Sequence, residues 1–131
     1  MTNKIYKTEE EWRKILTPEQ FKIMREKNTE SPFTCEFNEY KGEDGVYHCV
    51  ACDLPLFRSY AKFESGTGWP SFYNPVNIDN FIFKEDYDFG VGRTEVLCAR
   101  CESHLGHVFD DGPLPSGKRY CINGAALNFK K

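Results

Sequence analysis

The chain carries two copies of one cysteine spacing, "CVAC" at residues 49–52 and "CARC" at residues 98–101. A Cys-x2-Cys turn aims two sulfurs at one centre. Two such turns supply the four soft donors of a tetrahedral structural Zn²⁺. Forty-five residues separate the pairs, more than in a simple zinc ribbon. A shared centre of Cys49, Cys52, Cys98 and Cys101 therefore needs a folded sheet to bring the knuckles together. A thioredoxin-like redox pair normally opens a helix after a strand. Pro55 disfavours a helix after the first pair, and "CESHLGH" has no helical pattern after the second. A rival ligand set is Cys98, Cys101, His104 and His107, spaced at steps of three. Thiolates compete well for zinc, and the symmetry of the two pairs favours the four-cysteine set.

With 131 residues the chain has the size of one domain, and residues 1–131 read as a single unit. Folding at that length buries roughly two-thirds of the unfolded surface. A net charge of −3 leaves no basic excess for a phosphate backbone, so no nucleic-acid partner is expected. No apolar run approaches the ~18 residues of a membrane span, and "MTNKIYKTEEEWRKIL" lacks the apolar core of a secretion signal. The expectation is a soluble, cytoplasmic protein. In a reducing compartment six cysteines point to metal binding or redox catalysis before a disulfide framework.

Residues 1–30 read as a helical appendage. Thr8 with Glu11, and Thr17 with Pro18 and Gln20, each spell a helix start with a capping box. Trp12, Ile15 and Leu16 share one helix face. Residues 31–131 read as β. Short runs such as "GVYHCVAC", "NFIFKEDY", "RTEVLC", "GHVFDD" and "KRYCINGAALNF" alternate with turn segments such as "KGEDG", "SGTGWPS" and "DDGPLPSGK". The fold class expected is mainly β, built of antiparallel sheet, with short N-terminal helices.

Cys121 stands outside the matched pairs, in "RYCIN". In a strand Arg119, Cys121 and Asn123 share one face, and Tyr120 and Ile122 the other. The second face suits a core. The first sets a cation, a thiol and an amide side by side, and a guanidinium favours the thiolate. This stretch alone fits a buried, inert cysteine equally well. His104 and His107 lie three apart around Gly106, so a regular strand would point them to opposite faces. Convergence requires an irregular backbone, which glycine permits, and two imidazoles near a thiolate suit proton transfer around neutrality. "SGTGWPSF" presents Trp69, which reads either as a core residue in a tight turn or as an apolar wall for a small methyl group.

Taken together, "CVACDLPLF", "KFESGTGWPSF", "EVLCARCESHLGHVFDDGP" and "RYCINGAAL" resemble the methionine-R-sulfoxide reductases of the B type, in the family's order, over about residues 30 to 130. The resemblance implies two antiparallel sheets with a zinc on Cys49, Cys52, Cys98 and Cys101. It implies Cys121 as the nucleophile, Trp69 against the substrate S-methyl group, and His104, His107 and Asn123 around the sulfoxide oxygen. Arg119 becomes the cation near the thiolate. Attack on methionine-R-sulfoxide, peptide-bound or free, would leave a Cys121 sulfenic acid. A second thiol would convert it to a disulfide, with thioredoxin as the expected reductant and a monomer as the expected state. Many family members place a resolving cysteine where this chain has Thr67, while Cys35 stands where glycine is more common. Cys35 is therefore the expected resolving thiol. Direct attack by an external reductant and a merely buried Cys35 are the alternatives. From another class, a non-catalytic zinc-stabilised binding module accounts for the knuckles but leaves Arg119, Cys121, Asn123 and the histidines without a role.

Overall fold

Thr8 and Thr17 each accept the backbone N–H three residues on, and Glu11 and Gln20 return the bond to the cap N–H. Each box contributes about 1 kcal/mol to its helix start. They open α1 (Glu9–Ile15) and α2 (Pro18–Arg25). The computed structural model describes residues 5–27, 44–63, 68–86, 93–113 and 116–130. Trp12 and Leu16 are buried, but Ile15 is 53% exposed. The helix ends at Ile15, and the extended Leu16 cap turns inward by itself, so the three do not form one face.

Nine strands follow among the described residues: β1 (Val46–Cys49), β2 (Pro55–Arg58), β3 (Lys62–Phe63), β4 (Ser71–Phe72), β5 (Phe81–Asp86), β6 (Arg93–Cys98), β7 (His104–Phe109), β8 (Arg119–Ile122) and β9 (Leu127–Lys130). They form a three-stranded sheet, β2-β1-β9, and a six-stranded sheet, β3-β4-β8-β7-β6-β5. Every strand pairing among the described residues is antiparallel, as the sequence led one to expect. The run "KRYCINGAALNF" is two strands rather than one. A 3-10 turn at Gly124–Ala126 carries the chain from β8 in the large sheet to β9 in the small one.

The core lies where the sheets meet. Phe57 of β2 stacks on Phe72 of β4 at 4.2 Å between centroids and tilts against Tyr120 of β8 at 5.6 Å. Tyr47 of β1 meets Phe72 edge-on at 5.2 Å. Such aromatic pairs each contribute about 0.5–1.5 kcal/mol beyond area burial. Trp12, Phe21, Ile23 and Met24 of the helices join the same buried cluster. The helices are thus part of the body. Arg25 fastens them, donating to the Cys101 carbonyl at 2.8 Å and to Ser103 Oγ at 3.0 Å, with its guanidinium 4.8 Å from the Trp12 ring. No helix among the described residues is long and apolar enough to cross a membrane.

Candidate active site and metal centre

The two cysteine pairs fold into matching turns. The residue after each pair, Asp53 at φ 68° and Glu102 at φ 58°, takes the left-handed conformation. That conformation costs a non-glycine residue about 1 kcal/mol or more. It brings the Asp53 N–H onto the Cys49 carbonyl and the Glu102 N–H onto the Cys98 carbonyl, both at 2.8 Å. The Cys49 and Cys98 N–H groups close the turns on the Leu54 and Ser103 carbonyls. The four sulfurs lie within 4.8 Å of one another. Cys49 and Cys101 are 3.7 Å apart, and Cys52 and Cys98 3.4 Å. A tetrahedron with Zn–S bonds of about 2.3 Å has edges of about 3.8 Å, so the set fits zinc. Crowding divides the protons unevenly. The bond with Cys101 heads the causes that push the Cys49 thiol well up, and the bond from Cys49 heads those that hold Cys101 down. A divalent cation would let all four ionise. The mixed set with histidines does not form: His104 and His107 are bonded to carboxylates instead.

Those histidines converge through a β-bulge. Along β6 and β7, Glu95 pairs with His107, Val96 with Gly106 and Leu97 with His104, so Leu105 is the extra residue. Two steps on β6 match three on β7, which returns both imidazoles to one face. Their rings meet edge-on with centroids 5.4 Å apart. Asn123 holds the bulge, giving its backbone N–H (2.9 Å) and its side-chain Nδ2 (3.1 Å) to the Leu105 carbonyl. Gly106 is required for another reason: a Cβ there would lie 2.0 Å from the Cys121 carbonyl oxygen.

Register then builds the site. Ser71, Cys121, His107 and Glu95 are consecutive cross-strand partners on β4, β8, β7 and β6. Cross-strand partners place side chains on the same face, so this is one polar row. A neighbouring row holds Arg119 opposite Phe109, and Arg93 opposite Asp86. Alternation along β8 sends Tyr120 and Ile122 to the core and leaves Arg119 and Cys121 half-buried. Arg119 lies 4.4 Å over the Phe109 ring and donates twice to Asp111, at 2.8 and 3.2 Å. Asp111 is the main cause that raises the Arg119 pKa, with Cys121 a smaller one, so the guanidinium stays charged beside the thiol.

A cleft of about 210 Å³ opens over these rows, and its walls include Trp69, His107, Arg119, Cys121 and Asn123. Five of the anticipated site residues therefore share one cavity. His104 is not among the residues lining it; it is 3% exposed and bonds Glu95 Oε2 through Nδ1 at 2.8 Å. Burial pushes the His104 pKa down, with Glu95 opposing. Cys35 and Thr67 lie outside the described residues. Sequence reading missed Phe109 and Arg93 in the cleft wall, and Asp86 and Glu95 behind the imidazoles. Asp86 and Glu95 sit in strands dense with charge, where nothing local distinguishes a buried carboxylate from a solvated one. The one available signal was strand alternation around Glu95, which sets it opposite the core residues Val96 and Cys98.

Residues 16–131 match the family described as the SelR domain. A peptide methionine sulfoxide reductase MsrB of Methanosarcina barkeri is 57% identical over 126 residues, 96% of this chain and 88% of the relative. One from Pseudomonas putida strain W619 is 57% identical over 127 residues, 97% of this chain and 95% of the relative. The chloroplastic peptide methionine sulfoxide reductase B1 of Oryza sativa subsp. japonica is 59% identical over 95% of this chain and 58% of the relative. Among solved structures, the Mis18 "Yippee-like" domain superposes with a TM-score of 0.51 at 21% identity. It covers 68% of this chain and 97% of that domain, a likeness of fold alone.

Proposed function

The chain belongs to the SelR-domain family of B-type peptide methionine sulfoxide reductases, and on that premise we propose that it reduces methionine-R-sulfoxide, peptide-bound or free, to methionine through the thiolate of Cys121. The observation that carries the reading is the single cleft lined by Trp69, His107, Arg119, Cys121 and Asn123. A chiral sulfoxide needs a separate wall for its methyl group and for its oxygen. The indole of Trp69 is the methyl wall. His107 and Asn123, on the polar side of the cleft, form the oxygen wall.

Cys121 attacks as the thiolate, which the adjacent Arg119 cation favours. Its sulfur forms a bond to the sulfoxide sulfur, and the oxygen takes a proton from His107, the imidazole that lines the cleft. The oxygen then shifts to the Cys121 sulfur as its bond to the substrate sulfur breaks, the S–S bond just formed breaks with both electrons going to methionine, and Cys121 is left as a sulfenic acid. His104 supports this arrangement from its buried position at the ring edge of His107. The Cys35 thiol then condenses with the sulfenic acid, releasing water and forming a Cys35–Cys121 disulfide. A dithiol reductant of the thioredoxin type returns both to thiols.

Cys49, Cys52, Cys98 and Cys101 hold one structural Zn²⁺ in this reading. Bound there, it clamps the two knuckles and supplies no redox chemistry. The knuckle at Cys101 leads directly into β7, so the clamp fixes the start of the strand that carries both imidazoles. The chain acts as one catalytic unit over residues 1–131, as a monomer in a reducing compartment such as the cytoplasm.

The test offers each epimer of dabsyl-methionine sulfoxide to the enzyme with dithiothreitol. The R epimer is consumed, the S epimer is not, and Cys121→Ser is inactive. Equal consumption of both epimers, or an active Cys121→Ser, overturns the assignment.

A further inference from the structure

We propose that Asp86 is a positioning residue for proton transfer: by accepting the Nε2–H of His107 it fixes the tautomer of that imidazole and leaves the Nδ1 lone pair to take up the proton that is then passed to the substrate. The inference rests on the reading of His107 as the proton carrier given above.

Asp86 ends β5 after the exposed residues Phe83, Lys84 and Glu85, and is itself only 2% exposed. A carboxylate enters such a place only when its charge is compensated and its oxygens are bonded. Both conditions are met. Oδ1 lies 3.4 Å from Lys27 Nζ, and Oδ2 lies 3.4 Å from Arg93 and 2.7 Å from His107 Nε2. The last distance is in the range of a charge-assisted hydrogen bond, and the other two are longer. Of these three, His107 is therefore the tight partner.

An ionised carboxylate only accepts, so the proton of this bond belongs to Nε2. His104 takes the opposite tautomer for the same reason, because its Nδ1 is bonded to Glu95 Oε2 at 2.8 Å. The two rings stand 5.4 Å apart, too close for both to be charged cheaply, and burial keeps His104 toward the neutral form. Among the described residues, titratable and charged groups surround His107 from several elements. Asp86 comes from β5, Arg93 and Glu95 from β6, His104 from its own strand, Arg119 and Cys121 from β8, and Lys27 from beyond α2. Lys27 bridges the two carboxylates, at 3.4 Å from each, and so makes them one unit. In that setting Asp86 is the anion that touches the ring of the imidazole lining the cleft.

The test uses the full-length chain with ¹⁵N-labelled histidine. Its three histidines are assigned by single substitutions, and long-range ¹H–¹⁵N spectra report which ring nitrogen is protonated. The expected result is an Nε2–H tautomer for His107 and an Nδ1–H tautomer for His104. In Asp86→Asn, an isosteric change, His107 should lose its single tautomer. The single-turnover rate on dabsyl-methionine-R-sulfoxide should fall roughly 10²-fold, with KM unchanged. A neutral wild-type His107 that carries its single ring proton on Nδ1 overturns the proposal even if the variant fails to fold. So does an Asp86→Asn protein that keeps both tautomer and rate. An undiminished rate in His107→Ala would instead sink the proton-carrier reading on which the inference rests.

Discussion

His107 on β7 and Cys121 on β8 are direct cross-strand partners, and both line the cleft. Antiparallel pairing holds such side chains about 5 Å apart at Cβ whatever the neighbouring loops do. The proposed proton carrier and the proposed nucleophile are thus set side by side by sheet register. His107→Ala should lower kcat by roughly 10²-fold on the R sulfoxide and leave Cys121 alkylation by iodoacetamide rapid below neutral pH. Loss of alkylation together with activity would show that the substitution had disturbed the thiol rather than proton delivery.

Gly106 should tolerate no side chain. A methyl group there would stand 2.0 Å from the Cys121 carbonyl oxygen, which is backbone in a paired strand and cannot rotate away. We expect Gly106→Ala to destabilise the fold by about 1–3 kcal/mol, the range of an overpacked interior, read as a shift in the urea midpoint. Displacement of β8 should also slow turnover. A variant with wild-type midpoint and rate would contradict the close approach.

One zinc per chain is expected by elemental analysis, and Cys101→Ser should lose it. Chelation at neutral pH should lower the thermal midpoint and release four thiols to a chromogenic disulfide reagent, since four sulfurs lie within 4.8 Å. A metal-free chain with the same midpoint would remove the clamp from the account.

Cys35 should be found joined to Cys121 after one turnover without reductant. Peptide mapping by mass spectrometry is the measurement. A persistent sulfenic acid on Cys121, trapped by dimedone in the wild-type chain, would assign resolution to the external reductant.

Stability should weaken in acid partly through His104. Burial depresses its folded pKa below the ordinary histidine value of 6.5. The unfolded chain therefore binds the proton more readily, and the stability this neutral ring confers is present above about pH 6.5 and lost as pH falls through the folded value. His104→Gln should flatten the pH dependence of the denaturant midpoint in that window. An unchanged slope would mean that His104 is not a source of the acid sensitivity.

Short-range chemistry could be read from the linear chain because it depends on local spacing. The capping boxes at Thr8 and Thr17 need only four residues each. The cysteine knuckles need one turn, although their left-handed Asp53 and Glu102 carry no glycine to announce them. The alternation that places Cys121 and Arg119 opposite Tyr120 and Ile122 follows from a two-residue period. What only the folded chain decided was register. A single extra residue at Leu105 turns two histidines onto one face, and nothing within "SHLGHVF" says which residue will bulge. Asp86, Glu95 and Lys27, far apart along the chain, meet behind those imidazoles because β5, β6 and the end of α2 converge there. Buried charges must find partners in space, and strand pairing over long separations supplies them. A local window therefore shows which residues have the right chemistry, while the tertiary structure selects which of them meet.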